Sequence, residues 1–216
     1  MSMKIHADPR SVNCRKVLAG FDLIGAPYEL VHVDFLKGEQ KSDAYMALNP
    51  NATMPALADG DFVLWESNAI LQYAADKVGN EAVYPRDLQT RADINRWLLW
   101  ESSNWFPSCY VFLEQNCVKP LLGGQADPDV LKAQTVRFHK LAGILDRRLA
   151  GRQWIVGNGP TIADIALAAP MHLHAWQKLP LDDHPHLKRW LTGGVEQLPC
   201  WQKTMVYEGF STTKPN

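Results

Sequence analysis

"MPALADGDFVLWESNAI", residues 54–70, decides the fold. Two apolar runs, "PALAD" and "FVLW", flank Asp59-Gly60-Asp61, and a D-G pair between two such runs reads as a β-hairpin. Pro55 stands at the mouth of the hairpin, and Glu66-Ser67 brings a charge and a hydroxyl into the start of the next helix, "ESNAILQYAADKVG", which stops near Gly79. Upstream, "MKIHA" and "YELVHVD" read as strands. Between them "SVNCRKVLAGFDLIG" places Val17, Leu18, Phe21, Leu23 and Ile24 at near-helical spacing, with Ser11 as an N-cap and Gly25 as the stop. A helix between two strands predicts a parallel βαβ unit, and "EQKSDAYMALN" adds a short, weak helix.

After Gly79 the pattern changes. "NEAVYPRD", residues 80–87, reads as a linker broken by Pro85, and from Leu88 onward no strand pair is evident. The periodicity predicts helices over about 88–117, 127–150, 161–177, 184–193 and 196–206, with Pro107 kinking the first. Thr161-Ile162-Ala163-Asp164 is a capping box with Asp in the Glu position, followed by an apolar and therefore buried helix. The expectation is a small α/β domain over residues 1–79, a linker over 80–87, and an all-helical domain over 88–216.

The 216 residues suffice for one large domain or two small ones, with a sizeable core. With 22 basic and 23 acidic residues the net charge is −1, so nothing favours nucleic acid or an anionic membrane as a partner. No signal peptide and no membrane span is evident. Cys14, Cys109, Cys117 and Cys200 form no C-x-x-C pair, and Cys109 and Cys117 would lie about 12 Å apart along one helix, too far to bridge. A reducing, cytoplasmic setting is the simpler reading.

"DPRSVNCRKVL", "VHVDFLKGEQK", "LNPNATMPALADGDFVLWESNAILQY" and "WIVGNGPTIADIALA" stand in the order of the motifs of cytosolic glutathione S-transferases. The resemblance covers nearly the whole chain and is closest to the serine-type, phi- and theta-like members, bacterial ones included. It implies a thioredoxin-like βαβαββα domain followed by an all-helical domain. It further implies glutathione as co-substrate, a small electrophile as second substrate, no metal, and a homodimer engaged in detoxification.

The resemblance also gives the opening stretch a use. Pro55 should be cis, turning the Met54 backbone outward to pair with the cysteinyl part of glutathione like an added strand. The N–H groups opening the helix at Glu66-Ser67 would hold the γ-glutamyl carboxylate beside the Ser67 hydroxyl, with Glu66 against the ammonium. Alone, the same dipeptide reads as an ordinary helix cap. Lys41 matches a position that binds the glycyl carboxylate. Gln40 stands where phi members usually have His, and Thr53 where many relatives carry Gln.

Glutathione chemistry needs a thiolate, and a free thiol is only a few per cent ionised at neutral pH. A hydroxyl donating to sulfur at a helix N-terminus favours the anion, so Ser11 is the candidate activator, acting as donor rather than base. Its plainer role is an N-cap. Asn13 competes as an amide donor, and Cys14, three residues on, could form a mixed disulfide but more simply faces inward. Phe35 is a candidate wall of the electrophile pocket. Tyr110, Glu114 and Val118 share a helical face at i, i+4 and i+8, and Glu114 is polar where relatives are usually apolar, facing either pocket or solvent. Trp100, Trp105 and Phe106 read as core or dimer contacts. His172 and His174, about 200° apart on a helix, cannot chelate together, so the histidines 172, 174, 184 and 186 are not read as a metal site. Besides conjugation, two alternatives stand: a glutathione-dependent disulfide reductase or peroxidase, and a non-catalytic binding or structural protein on the same fold.

Overall fold

The computed structural model describes residues 2–205. Strands β1 (Met3–Ala7), β2 (Tyr28–His32), β3 (Ala56–Asp59) and β4 (Phe62–Trp65) form one sheet in the order β2-β1-β3-β4. β1 and β2 are parallel, joined through α1 (Val12–Ile24), as the helix-between-strands pattern predicts. β3 runs antiparallel to β1, and the hairpin to β4 turns at Gly60, whose φ of 63° a residue with a Cβ would resist. The short segment after β2 divides into a 3₁₀ turn (Glu39–Lys41) and α2 (Asp43–Met46), capped by Ser42. α3 (Ser67–Val78) closes this half and packs on α1 so tightly that a Cβ at Gly20 would collide with Leu71.

The register decides where function can sit. Ala7 pairs with His32, and His6, Ala56 and Trp65 line up across three strands. The loop after β1, the loop after β2, the entry to β3 and the exit of β4 therefore all open at one end of the sheet. Segments as far apart in sequence as Asp8 and Glu66 open there.

Beyond residue 87 the described chain is helical: α4 (Leu88–Trp100), α5 (Phe106–Leu113), α6 (Lys119–Leu121), α7 (Pro128–Leu149), α8 (Ile162–Ala168), α9 (His174–Gln177), α10 (Pro185–Gly193) and α11 (Pro199–Lys203). The expected single helix over 88–117 is a rod interrupted by two π-helical turns, Glu101–Trp105 and Glu114–Val118. Each precedes a proline, Pro107 and Pro120. Proline has no N–H to give the ladder, and a wider turn carries the rod past it. The expected helix over 161–177 is likewise divided around a 3₁₀ turn at Pro170, and that over 196–206 by Pro199, with residue 206 outside the described residues.

The capping box is present. Thr161 Oγ1 accepts from Ala163 N (3.3 Å), and Asp164, fully buried, accepts from Thr161 N (2.9 Å), Thr161 Oγ1 (3.0 Å), Ile155 N (3.0 Å) and Trp190 Nε1 (2.9 Å). Burial pushes its carboxyl up, and these four donors pull it back. The core runs continuously from β1 and α1 into α4, α5, α7 and α8. Trp105 is wholly inside it, stacked on Trp100 and bonded to Leu167 O (2.9 Å).

Candidate functional site

Ser11 occupies the N-cap of α1, with φ −77° and ψ 137°, yet its hydroxyl makes no capping bond. Its N–H donates to Asp8 O (3.0 Å), and its side chain lies against the Cys14 thiol. The loop is held by Asp8, which accepts from Arg10 N (3.0 Å), Arg10 Nε (2.9 Å) and Phe35 N (3.3 Å). Burial alone would raise the Asp8 carboxyl, but these donors and the guanidinium hold it below the usual range. Arg10 also reaches Asp34 (3.0 Å) and lies over the Phe35 ring, tying the Ser11 loop to the loop after β2.

Cys14 is fully buried, and burial pushes its thiol up to about 12. Its inward position is the one expected of an unreactive cysteine. Asn13 is half-buried with its Oδ1 enclosed and unpartnered among the described residues, and so is the Oε1 of Gln40. Lys41 is exposed on the 3₁₀ turn.

The Met54-Pro55 bond is cis. The preceding carbonyl, Thr53 O, is taken by Tyr45 Oη (2.9 Å) and by Asn49 Nδ2 (2.8 Å), Asn49 being buried. Among the described residues no hydrogen bond engages the Met54 N–H or C=O. One strand further, Glu66 is exposed and has φ 75°, ψ 109°, a region non-glycine residues rarely occupy and one that marks sites where surrounding structure forces the backbone. It aims the first turn of α3 at the same end of the sheet, with Ser67 beneath the surface at 8% exposure.

Under Ser67 lies a group the sequence did not disclose. Lys16, on α1, sends its Nζ to Ser67 Oγ (3.2 Å), Asn68 Oδ1 (3.3 Å) and Glu101 Oε1 and Oε2 (3.0 and 2.9 Å). Asn68 Nδ2 in turn donates to Glu101 Oε2 and Leu98 O, both at 2.9 Å. Lys16 and Glu101 are essentially inaccessible. No spacing signals a pair 85 residues apart, and among the apolar residues of α1 Lys16 looks like an outward-facing charge.

Of the expected electrophile-pocket residues, Phe35, Tyr110 and Glu114 are exposed, while Val118 is half-buried against the core. The i, i+4, i+8 reasoning assumes an unbroken α-helix. The π turn at Glu114–Val118 interrupts that helix, so the i+8 spacing does not by itself place Val118 on the face of Tyr110 and Glu114. Phe106 links the two regions, stacking on Tyr110 (centroids 5.5 Å) and lying 5.9 Å from Lys16 Nζ. His172 bonds Ala169 O, His174 meets Glu196, His184 meets His139, and the His186 N–H caps onto Asp146, so the four histidines lie in separate contacts. Among the described residues no cluster of three or more His, Cys, Asp or Glu could hold a metal.

A parallel βαβ unit, a cis-proline hairpin and a helix N-terminus at one end of a four-stranded sheet, followed among the described residues by helices alone, define a thioredoxin-like protein with an all-helical second domain. Sequence comparison agrees and names the family. The chain belongs to the glutathione S-transferase family: residues 4–76 match its N-terminal domain and residues 112–197 its C-terminal domain. It is 33% identical over 198 residues to a probable glutathione S-transferase GSTF2 of Oryza sativa subsp. japonica, covering 88% of this chain and 90% of that one. It is 34% identical over 197 residues to glutathione S-transferase theta-3 of Mus musculus, covering 88% and 80%. Among solved structures, a glutathione S-transferase-I bound with lactoylglutathione superposes with a TM-score of 0.84 at 29% identity, over 94% of this chain and 98% of that one. A glutathione S-transferase III in apo form gives 0.81 at 32% identity, over 94% and 95%.

Proposed function

We propose that this chain is a glutathione transferase that stabilises the glutathione thiolate with Ser11 and directs it at an electrophilic carbon. The observation that carries this reading is the Ser11 hydroxyl, which stands at the N-terminus of α1 without capping it, at the sheet end where Met54 offers an unpaired N–H and C=O. The cysteinyl backbone of glutathione pairs with Met54 before the cis Pro55, and its γ-glutamyl end meets Ser67 and Glu66 at α3. Gln40, Lys41 and Thr53 flank the glycyl end. The thiol proton goes to solvent and the thiolate's electron pair forms a bond to the electrophilic carbon. In a substitution the leaving group departs with the pair of the bond that breaks, and in an addition the displaced π pair moves onto the conjugated acceptor, which then takes up a proton. Phe35, Tyr110 and Glu114 border the second substrate, and Val118 supports the wall from behind. The glutathione-binding domain spans 1–79, a linker 80–87 and the helical domain 88–216. The protein works as a homodimer in the cytoplasm, a setting that fits four buried, unpaired cysteines.

The test is the ultraviolet absorbance of bound glutathione thiolate against pH, for wild type, Ser11→Ala and Asn13→Ala. The expected result is a depressed thiol pKa that rises in Ser11→Ala alone, with kcat/KM falling roughly tenfold to a thousandfold. Asn13 carries a second reading, because it lies in the first turn of α1, two residues from Ser11, with an amide NH2 that can donate to sulfur. If Asn13→Ala moves the pKa instead, the amide is the activator and disulfide reduction becomes the activity to assay.

A further inference from the structure

Lysine has three N–H donors and no acceptor, so wherever its ammonium meets a hydroxyl the oxygen must accept. The three donors of Lys16 are consumed by Ser67 Oγ (3.2 Å), Asn68 Oδ1 (3.3 Å) and the Glu101 carboxylate (2.9 Å). Ser67 is thereby fixed as acceptor toward the interior, and its own hydrogen must point elsewhere. Among the described residues no acceptor receives it. The first turn of α3 adds backbone N–H groups without intrahelical partners on the same side. We propose that Lys16, held by Glu101 of the helical domain, is a positioning residue that orients the Ser67 hydroxyl outward as a donor to an anionic ligand group, the α-carboxylate at the γ-glutamyl end of glutathione. This rests on the reading of the site given above.

The arrangement has two parts. Lys16 lies beneath Ser67 rather than in the cleft, so it polarises the hydroxyl without itself binding the ligand. Glu101 opens the first π turn of the rod, and Asn68 donates to it and to Leu98 O (both 2.9 Å), so the orientation of a side chain in the sheet domain is set by a carboxylate from the helical one.

Lys16→Met alone would strand a buried carboxylate, so the variant tested is Lys16→Met with Glu101→Gln, which removes both charges and keeps an acceptor for Asn68. Calorimetry would compare glutathione with 4-aminobutyryl-Cys-Gly, the same peptide without its α-carboxylate. Wild type should favour glutathione, and that preference should fall about tenfold in the double variant and in Ser67→Ala, with affinity for the decarboxylated peptide unchanged. Equal losses for both peptides would show a merely structural role, and an undiminished preference would show that Lys16 does not act through Ser67; either overturns the proposal. A wild type that binds glutathione without preferring it would also overturn it, while leaving thiol activation standing. A crystal structure of the wild-type complex tests the same point without substitution. Ser67 Oγ should lie within hydrogen-bond distance of both Lys16 Nζ and the α-carboxylate, and a hydroxyl that meets only one of them would contradict the proposal.

Discussion

Ser11, Asn13 and Cys14 share barely one helical turn, and environment separates them. Cys14 is sealed at the base of α1, and burial pushes its thiol up to about 12, so it stays protonated where a free cysteine begins to ionise. Cys14→Ala should therefore keep kcat/KM within about threefold while costing ~1–2 kcal/mol of stability, as a small cavity in a packed core does. A folded variant that had lost activity would restore Cys14 as the thiol-reactive group. Glu66 makes the opposite point. Its identity was legible, but its φ of 75° was not, because no local preference favours that conformation in glutamate. The strand before it and the helix after it impose the geometry.

At the scale of elements, helices with local stops are legible in the sequence. α1 ends at Gly25 and α3 at Gly79, both in the left-handed conformation. The rod from α4 to α6 shows what periodicity misses, since a proline inside a helical pattern can be met by a kink, a break or a wider turn, and neighbouring packing selects among them. The cap of α8 lies between these cases. The pattern Thr161 to Asp164 announced it, but the bonds from Ile155 and Trp190 make it a junction of three segments. Asp164→Ala strands four buried donors and should lower stability by about 3–5 kcal/mol, read from the urea midpoint. A shift below about 1 kcal/mol would show that water or rearrangement satisfies those groups.

For the whole molecule, the sheet end gathers residues 11, 54, 66 and 67 through strand register, while the helical half supplies Glu101 from below and Phe106, stacked on Tyr110, beside Lys16. β4 is an edge strand with Phe62, Val63 and Trp65 exposed at 46%, 36% and 39%, an open apolar strip. Sedimentation at micromolar concentration should give twice the 24.3 kDa chain mass, and a monomer would refute the dimer. The sequence by itself determined the order of elements, the hairpin, the glycine stops, the Thr161–Asp164 cap and the motifs that carry the family resemblance, because these depend on contacts within a few residues or on spacings that recur among relatives. The tertiary structure alone decided the π turns, the packing of Val118 against the core, the backbone of Glu66 and the Lys16–Glu101 pair beneath Ser67. Each of these is settled by groups distant in sequence competing for the same buried space, and a buried charge is tolerated only where folding has already brought its partner to it.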